Sequence, residues 1–449
     1  MSASPPFVFP NTPTASPART PGSRIVAVLV GAMLIATLGY PLVRIFDFYA
    51  DNTVADASFA DGTLLTQLMF GSSFLCAGLL AWRNGAWSLH VVRRMNPFIL
   101  ILIAWAACTV FWSPYPVVTI KRVVQMIGLV LVGLCLTLPQ LRPDHMPRVL
   151  SRMITTLLVV SLAVVIAIPQ IGVDSLREGG WRGILWHKNG LGMTACFGTL
   201  LLVYRLFLRD ISIRSGSFLL IFTLLMLVMS HSSTALLSAA AGVGTLLFLH
   251  YKNRVSPALL AAPILGAITL ALAALLLFFT LIGRLPTWNE LSGPLLSVLG
   301  KSADLTGRTD LWHLLMIEIN RHPLQGIGYG AFWLNVGSPS QYIIDAVHWI
   351  PLQAHNGYLD TLNELGAIGL FMLAGLLVWH LGLLLRLSRV EPERAPLHWA
   401  IFVIIVLNSF SESQLLRGML FENCIFFYSS LLVAGMLSRP ARSASTAPQ

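Results

Sequence analysis

Apolar runs of about twenty residues, each long enough to cross a hydrocarbon core of roughly 30 Å, recur along almost the whole chain. They fall near 25–46, 63–82, 97–113, 123–141, 153–172, 189–208, 216–230, 234–251, 257–283, 365–387, 397–411 and 420–437. This recurrence predicts an all-α polytopic membrane protein of about twelve transmembrane helices. Several runs are short, and 216–251 also reads as one broken hairpin. Only 11% of the 449 residues are charged, against about 25% in a soluble domain. Such a chain belongs in lipid.

The net charge of +10 brings nucleic acid to mind as a partner, and the distribution of charge removes it. With the N-terminus inside, the inner stretches from Arg19 to Arg442 carry 18 basic residues against four acids (Asp144, Asp210, Glu391, Glu393). The outer side carries 11 against 15. This obeys the positive-inside rule and places both termini in the cytoplasm. Cys76, Cys108, Cys135, Cys196 and Cys424 all fall within expected helices, which argues against a disulfide framework or a thiolate metal site. Residues 1–24, rich in Pro, Ser and Thr, lack the apolar core of a signal peptide and read as a disordered cytoplasmic tail, as do 438–449.

Helices one to nine are expected within 25–283 and helices ten to twelve within 365–437, with an outer connection of about 80 residues, 284–364, between them. A connection that long is uncommon unless it works. Inside it, "TGRTDLWHLLMIEINRHP" reads as a helix capped by Thr306 or Thr309, with Leu311, Leu315 and Ile319 in one stripe and Pro323 past its end. "GIGYGAFW" supplies a flexible turn carrying Tyr329. "QAHNGYLDTLNELGAIGL" then begins polar and ends apolar, with His355 just before the tenth helix and Asp360 and Glu364 sharing a face.

Three more polar stretches fall on the same outer side. "REGGWRGILWHKNGLG" presents Arg182, His187, Lys188 and Asn189; "SHSSTALLS" holds Ser232; "NSFSES" ends with Glu412 and Ser413. Each has a plain reading. Arg182 and Lys188 suit lipid headgroups, Asp360 and Glu364 suit the solvated face of a surface helix, and Ser232, Ser233 and Thr234 suit a helix cap. His380 reads as a packed core histidine. Taken together on one face, cations without carboxylate clusters fit an anionic, phosphate-bearing substrate. No Asp-x-Asp pair or metal-ligand spacing accompanies them, so neither metal nor cofactor is expected. Arginines would stabilise a departing pyrophosphate, a loop histidine would take a hydroxyl proton, and aromatic side chains such as Tyr329 would stack on sugars.

"WRGILWHKNGLG", "SSTALLS", "TGRTDLW", "HPLQGIGYGAFW" and "AHNGYLDTLNELGAIGL" occur in this order, and in this the chain resembles the O-antigen ligase and polymerase superfamily. The likeness is greatest to exopolysaccharide polymerases of the Wzy/ExoQ type. It implies a GT-C-type glycosyltransferase of the bacterial inner membrane with its site on the periplasmic face. The implied donor is an undecaprenyl-diphosphate-linked glycan, transferred with inversion and without metal. Partners implied are the bilayer, that glycan, a chain-length regulator and export proteins, with no nucleic acid. By resemblance Arg182, Lys188 and Arg308 contact diphosphate or glycan, and His355 lies beside the acceptor hydroxyl, held by Asn356. His187, Asn189, Tyr358, Asp360, Ser232 and Tyr329 complete the expected binding set. Where many relatives carry another basic residue in the turn, this chain has His231. A polymerase is expected, with a ligase acting on lipid A-core as the alternative within this chemistry and a lipid-linked-sugar flippase as the alternative outside it.

Overall fold

The computed structural model describes residues 21–39, 42–43, 64–174, 179–251 and 308–439. The expected ninth span, residues 284–307 with the proposed cap Thr306, and most of both tails lie outside the described residues.

The described chain is mostly helical. In order come α1 (Pro21–Leu34), α2 (Leu64–Arg83), α3 (Gly85–Val92), α4 (Pro97–Cys108), α5 (Pro116–Leu136), α6 (His145–Ala167), α7 (Lys188–Phe207), α8 (Ile213–Met229), α9 (Ser233–Tyr251), α10 (Arg308–Arg321), α11 (Gln341–Val347), α12 (Gly357–Val390), α13 (Ala395–Asn408) and α14 (Phe421–Ser438). Among the described residues eight helices are long and apolar enough to cross a membrane, or nine if α3 and the α4 segment, bent by 91°, form one broken span. The shorter α8 and α13 are apolar as well. The chain is a multi-pass membrane protein. One two-residue antiparallel pair, β1 (Val173–Asp174) with β2 (Gly180–Trp181), precedes α7.

Two helices form the interior. α14, "FENCIFFYSSLLVAGMLS", is apolar or small on every side beyond Glu422 and Asn423 in its first turn, the signature of a helix with no face for solvent, and nearly all of it is buried. It packs on α5, α12 and α13. α7 is enclosed by α6, α8 and α9, and its first residue, Lys188, is already buried. α2 leaves Leu64, Leu65, Leu68, Leu75 and Leu79 exposed, as a lipid-facing helix does.

Three helices begin earlier than the apolar runs suggest. α5 starts at Pro116 rather than 123, α6 at His145 rather than 153, and α12 at Gly357 rather than 365. The added turns carry charge, and around α6 that charge is paired inside the protein. Arg148 of α6 pairs with Asp210 at 2.6 Å, and Asp144, just before it, pairs with Arg394 at 3.1 Å.

α12 breaks at Gly366, whose φ of 69° is open chiefly to glycine. The backbone groups freed there are taken up by the long connection. Ile327 N–H and Gly328 N–H donate to the carbonyls of Asn363 and Glu364, each at 3.0 Å, and Ala367 N–H donates back to Pro323 at 2.9 Å. Trp105 Nε1–H caps the Leu365 carbonyl at 2.9 Å. The approach is tight, because a Cβ on Gly366 would lie 2.2 Å from the Leu324 carbonyl oxygen. The connection is thus clamped to the membrane helix that follows it. α10 behaves as its sequence predicts: Leu311, Leu315 and Ile319 are buried in a small separate core with Phe332, Trp333 and Ile343.

Candidate active site

Glu412, in the turn after α13, is the residue on which the polar groups meet. His355 Nδ1 lies 3.0 Å from its Oε2, Gln353 Nε2–H donates to the same oxygen at 2.7 Å, and Arg308 Nη2 approaches Oε1 at 3.7 Å. Gln353 is held in turn, its Oε1 accepting from Ser413 N–H at 2.9 Å. A carboxylate can only accept, so Nδ1 of His355 carries the proton and Nε2 is left as the basic nitrogen. The His355 backbone sits at φ 52°, a sparsely populated region for a side chain of this size, and the turn aims its ring at Glu412. The imidazole is about a quarter exposed.

Burial alone would raise the pKa of Glu412. The hydrogen bond from His355, with the charges of His355, Arg308 and His187, outweighs burial and holds the carboxyl below its ordinary value. His187 therefore lies within electrostatic reach of the same carboxylate. It caps α7, its Nδ1 accepting from Gly190 N–H at 2.9 Å.

The loop before α7 packs on the turn that joins α8 and α9. A Cβ on Gly180 would lie 2.6 Å from the Ser230 carbonyl oxygen and 2.9 Å from Lys188 Cδ. β2, Lys188 and the α8–α9 turn are therefore in close contact. Ser232 is buried in that turn and faces Gly192 of α7. Lys188 and Arg308 are each the first residue of a helix, where the positive dipole end disfavours a cation unless an anion is bound nearby. Arg182 lies just past β2, and its Nε–H donates to the Ile171 carbonyl at 2.7 Å; Asn189 is half-buried in the first turn of α7. Arg308 and His355 thus flank one carboxylate that also feels the charge of His187, while Arg182 lies in the loop before α7 and Lys188 at the start of that helix.

Other expected site residues are engaged in building the fold. Asn356 caps α12, its Oδ1 accepting from Tyr358 N–H at 3.0 Å and Leu359 N–H at 3.1 Å; Gln353 and Glu412 are what hold His355. Tyr358 donates its hydroxyl to the Val406 carbonyl at 3.1 Å and packs its ring 4.8 Å from Phe410. Tyr329 is buried, with its hydroxyl on the Leu416 carbonyl at 2.7 Å. Burial raises its phenol above the ordinary range.

The surface-helix reading of Asp360 and Glu364 is corrected, because both are buried. Asp360 Oδ1 accepts from Trp333 Nε1–H at 2.6 Å, and its Oδ2 from Ala354 N–H at 3.1 Å. Their shared face meets the folded connection instead of water. His380 is packed as expected, between Phe402 and Phe426, with Nδ1 3.3 Å from Ser430 Oγ.

Glu412 and Gln353 are the main residues that sequence reasoning did not place in the site. The available signal was an acid in "NSFSES" on the side where unmatched cations gather.

Two comparisons bear on this arrangement. Residues 218–374 match the family described as O-antigen ligase. The chain is also 25% identical over 369 residues, 77% of its length and 78% of the relative's, to the exopolysaccharide production protein ExoQ of Rhizobium meliloti (strain 1021). The chain is thus similar to ExoQ over most of its length and to the O-antigen ligase family over residues 218–374.

Proposed function

We propose that this O-antigen ligase-like membrane protein is a polysaccharide polymerase that moves a growing glycan from a polyprenyl diphosphate to a sugar hydroxyl of a lipid-linked repeat unit. The observation that carries the proposal is Glu412, held between the His355 imidazole and the Arg308 guanidinium. One carboxylate thereby orients a base and sits beside a cation, as a displacement at a phosphate-bearing carbon requires.

In this reading the acceptor O–H meets His355 Nε2. As the oxygen attacks the anomeric carbon, its proton passes to Nε2, and Glu412 stabilises the imidazolium through Nδ1–H. The bond from the anomeric carbon to the diphosphate oxygen breaks, and its electron pair leaves with the diphosphate. Arg308, with Lys188 and Arg182, stabilises that charge. Attack opposite the leaving group inverts the anomeric centre. Arginines and a lysine take the part that a divalent cation plays elsewhere, so transfer proceeds without added metal.

The ligase alternative rests on the family description itself and uses the same residues with another acceptor. A deletion strain separates the readings. Accumulated single repeats on the lipid carrier identify a polymerase, and long unattached chains identify a ligase. Repeats trapped on the cytoplasmic leaflet would show a flippase and end the transferase proposal.

A further inference from the structure

A cavity of about 250 Å³ adjoins the Glu412 cluster, with Gln353 in the wall between them. Its polar lining comes from Arg122 on α5, Glu364 on α12 and Arg417 in the turn before α14. Tyr329 and Trp333 supply aromatic surface.

These charges do not close on one another. Arg417 Nη1 approaches Glu364 Oε1 at 3.5 Å and Asp360 Oδ2 at 3.8 Å, well beyond the roughly 2.7–2.9 Å of a charge-assisted hydrogen bond. Glu364 is buried, and among the described residues its Oε1 has no hydrogen-bond partner. Among the described residues Arg122 makes one long bond, 3.4 Å to Gln125. Gly330 (φ 68°) and Gly418 (φ 53°) keep this space open, since a Cβ on either would lie 2.8 Å from Arg122 Cγ or 3.1 Å from its Nη1. A purely structural ion cluster would collapse to contact. Here donors and an acceptor are held apart around a space.

We propose that this cavity is a subsite for one sugar ring of the acceptor glycan. Sugar hydroxyls both donate and accept. Glu364 Oε1 would receive one hydroxyl hydrogen, while Arg122, Arg417 and Gln353 would donate to ring or hydroxyl oxygens. The volume lies below the roughly 300–1,000 Å³ of sites for drug-sized molecules, which suits a single ring. Phosphate is a poorer match than a sugar, because the Glu364 carboxyl in the wall is an acceptor that asks for a hydroxyl donor. The two faces of Glu412 assign the substrate: Oε1 faces Arg308 on the diphosphate side, and Oε2 faces His355 and Gln353 on the cavity side. A ring held here presents its neighbouring hydroxyl to His355.

This assignment rests on the transferase reading, and the experiment separates the two. Purified protein in liposomes is given lipid-linked polymer at a fixed, saturating level and a synthetic acceptor repeat unit over a range of concentrations. Glu364→Gln, which keeps the side-chain shape, and Arg122→Lys, which keeps the charge but not the fork, should each raise the acceptor KM by about ten- to hundredfold. Both should keep kcat within about twofold, whereas His355→Ala should lose kcat. Either variant suffices if the other fails to accumulate. Unchanged acceptor KM with an inactive His355→Ala would overturn the subsite and leave the transferase standing; full activity in His355→Ala would remove both.

Discussion

At the scale of residues, one carboxylate sets the tautomer of one imidazole, so its loss should resemble a partial loss of the base. Glu412→Gln should lower kcat by about a hundredfold, the lower end of what general-base catalysis contributes, with little change in either KM. An unchanged kcat would reduce Glu412 to a packing residue. The same carboxyl should make stability depend on pH. Its native pKa is held below the ordinary 4.5, so its contribution is complete at neutral pH and is lost as the pH falls through the native value. Thermal unfolding in detergent should show wild type losing more stability than Glu412→Gln between pH 6 and roughly pH 3. Parallel loss in both would contradict the shift. Arg182→Lys keeps charge but not the planar fork. Turnover should fall sharply if diphosphate is gripped there, and unchanged kinetics would leave Arg182 a headgroup contact. His355 and Arg308 were legible in the sequence as a loop histidine and a cation at a helix start. Glu412 was not, because its contacts to them close over 57 and 104 residues of chain, and no local period reports such a meeting.

At the scale of elements, the break in α12 ties the long connection to the membrane helix that follows it. Gly326 and Gly366, both at positive φ, let the two backbones exchange hydrogen bonds at close range. Gly366→Ala should therefore cost at least about 3 kcal/mol, through the left-handed backbone and the clash at Leu324. Unfolding in a graded denaturant would measure it, and a loss under about 1 kcal/mol would show that the clamp can yield. Helix type was readable for the long described spans, since twenty apolar residues leave little choice, but not for the short α3 and α11. Helix starts were less readable. A hydropathy run stops at the first charge, yet Arg148 remains within α6 because Asp210 meets it, and Arg122 remains within α5 because the connection covers it. The stripe of α10 was read correctly from spacing, whereas α11 is too short to show one.

At the scale of the whole molecule, a lipid-facing shell surrounds α7 and α14, and their N-terminal ends lie beside the polar cluster. The proposed chemistry needs the cluster's cations to act where a divalent ion would. EDTA should then leave transfer by purified enzyme unchanged, and lost activity restored by Mg²⁺ would refute that part. Composition and charge bias made the membrane class plain; sugars, linkage and acceptor depend on shapes that no charge count carries. The most direct test is reconstitution of the purified protein in liposomes with a defined lipid-linked repeat unit, followed by analysis of the extracted glycolipids. Wild type should yield a ladder of two or more repeats on one carrier, and His355→Ala should yield only the starting unit. Repeats that change leaflet without forming a new glycosidic bond, or an equal ladder from His355→Ala, would contradict the role assigned to the His355–Glu412–Arg308 cluster.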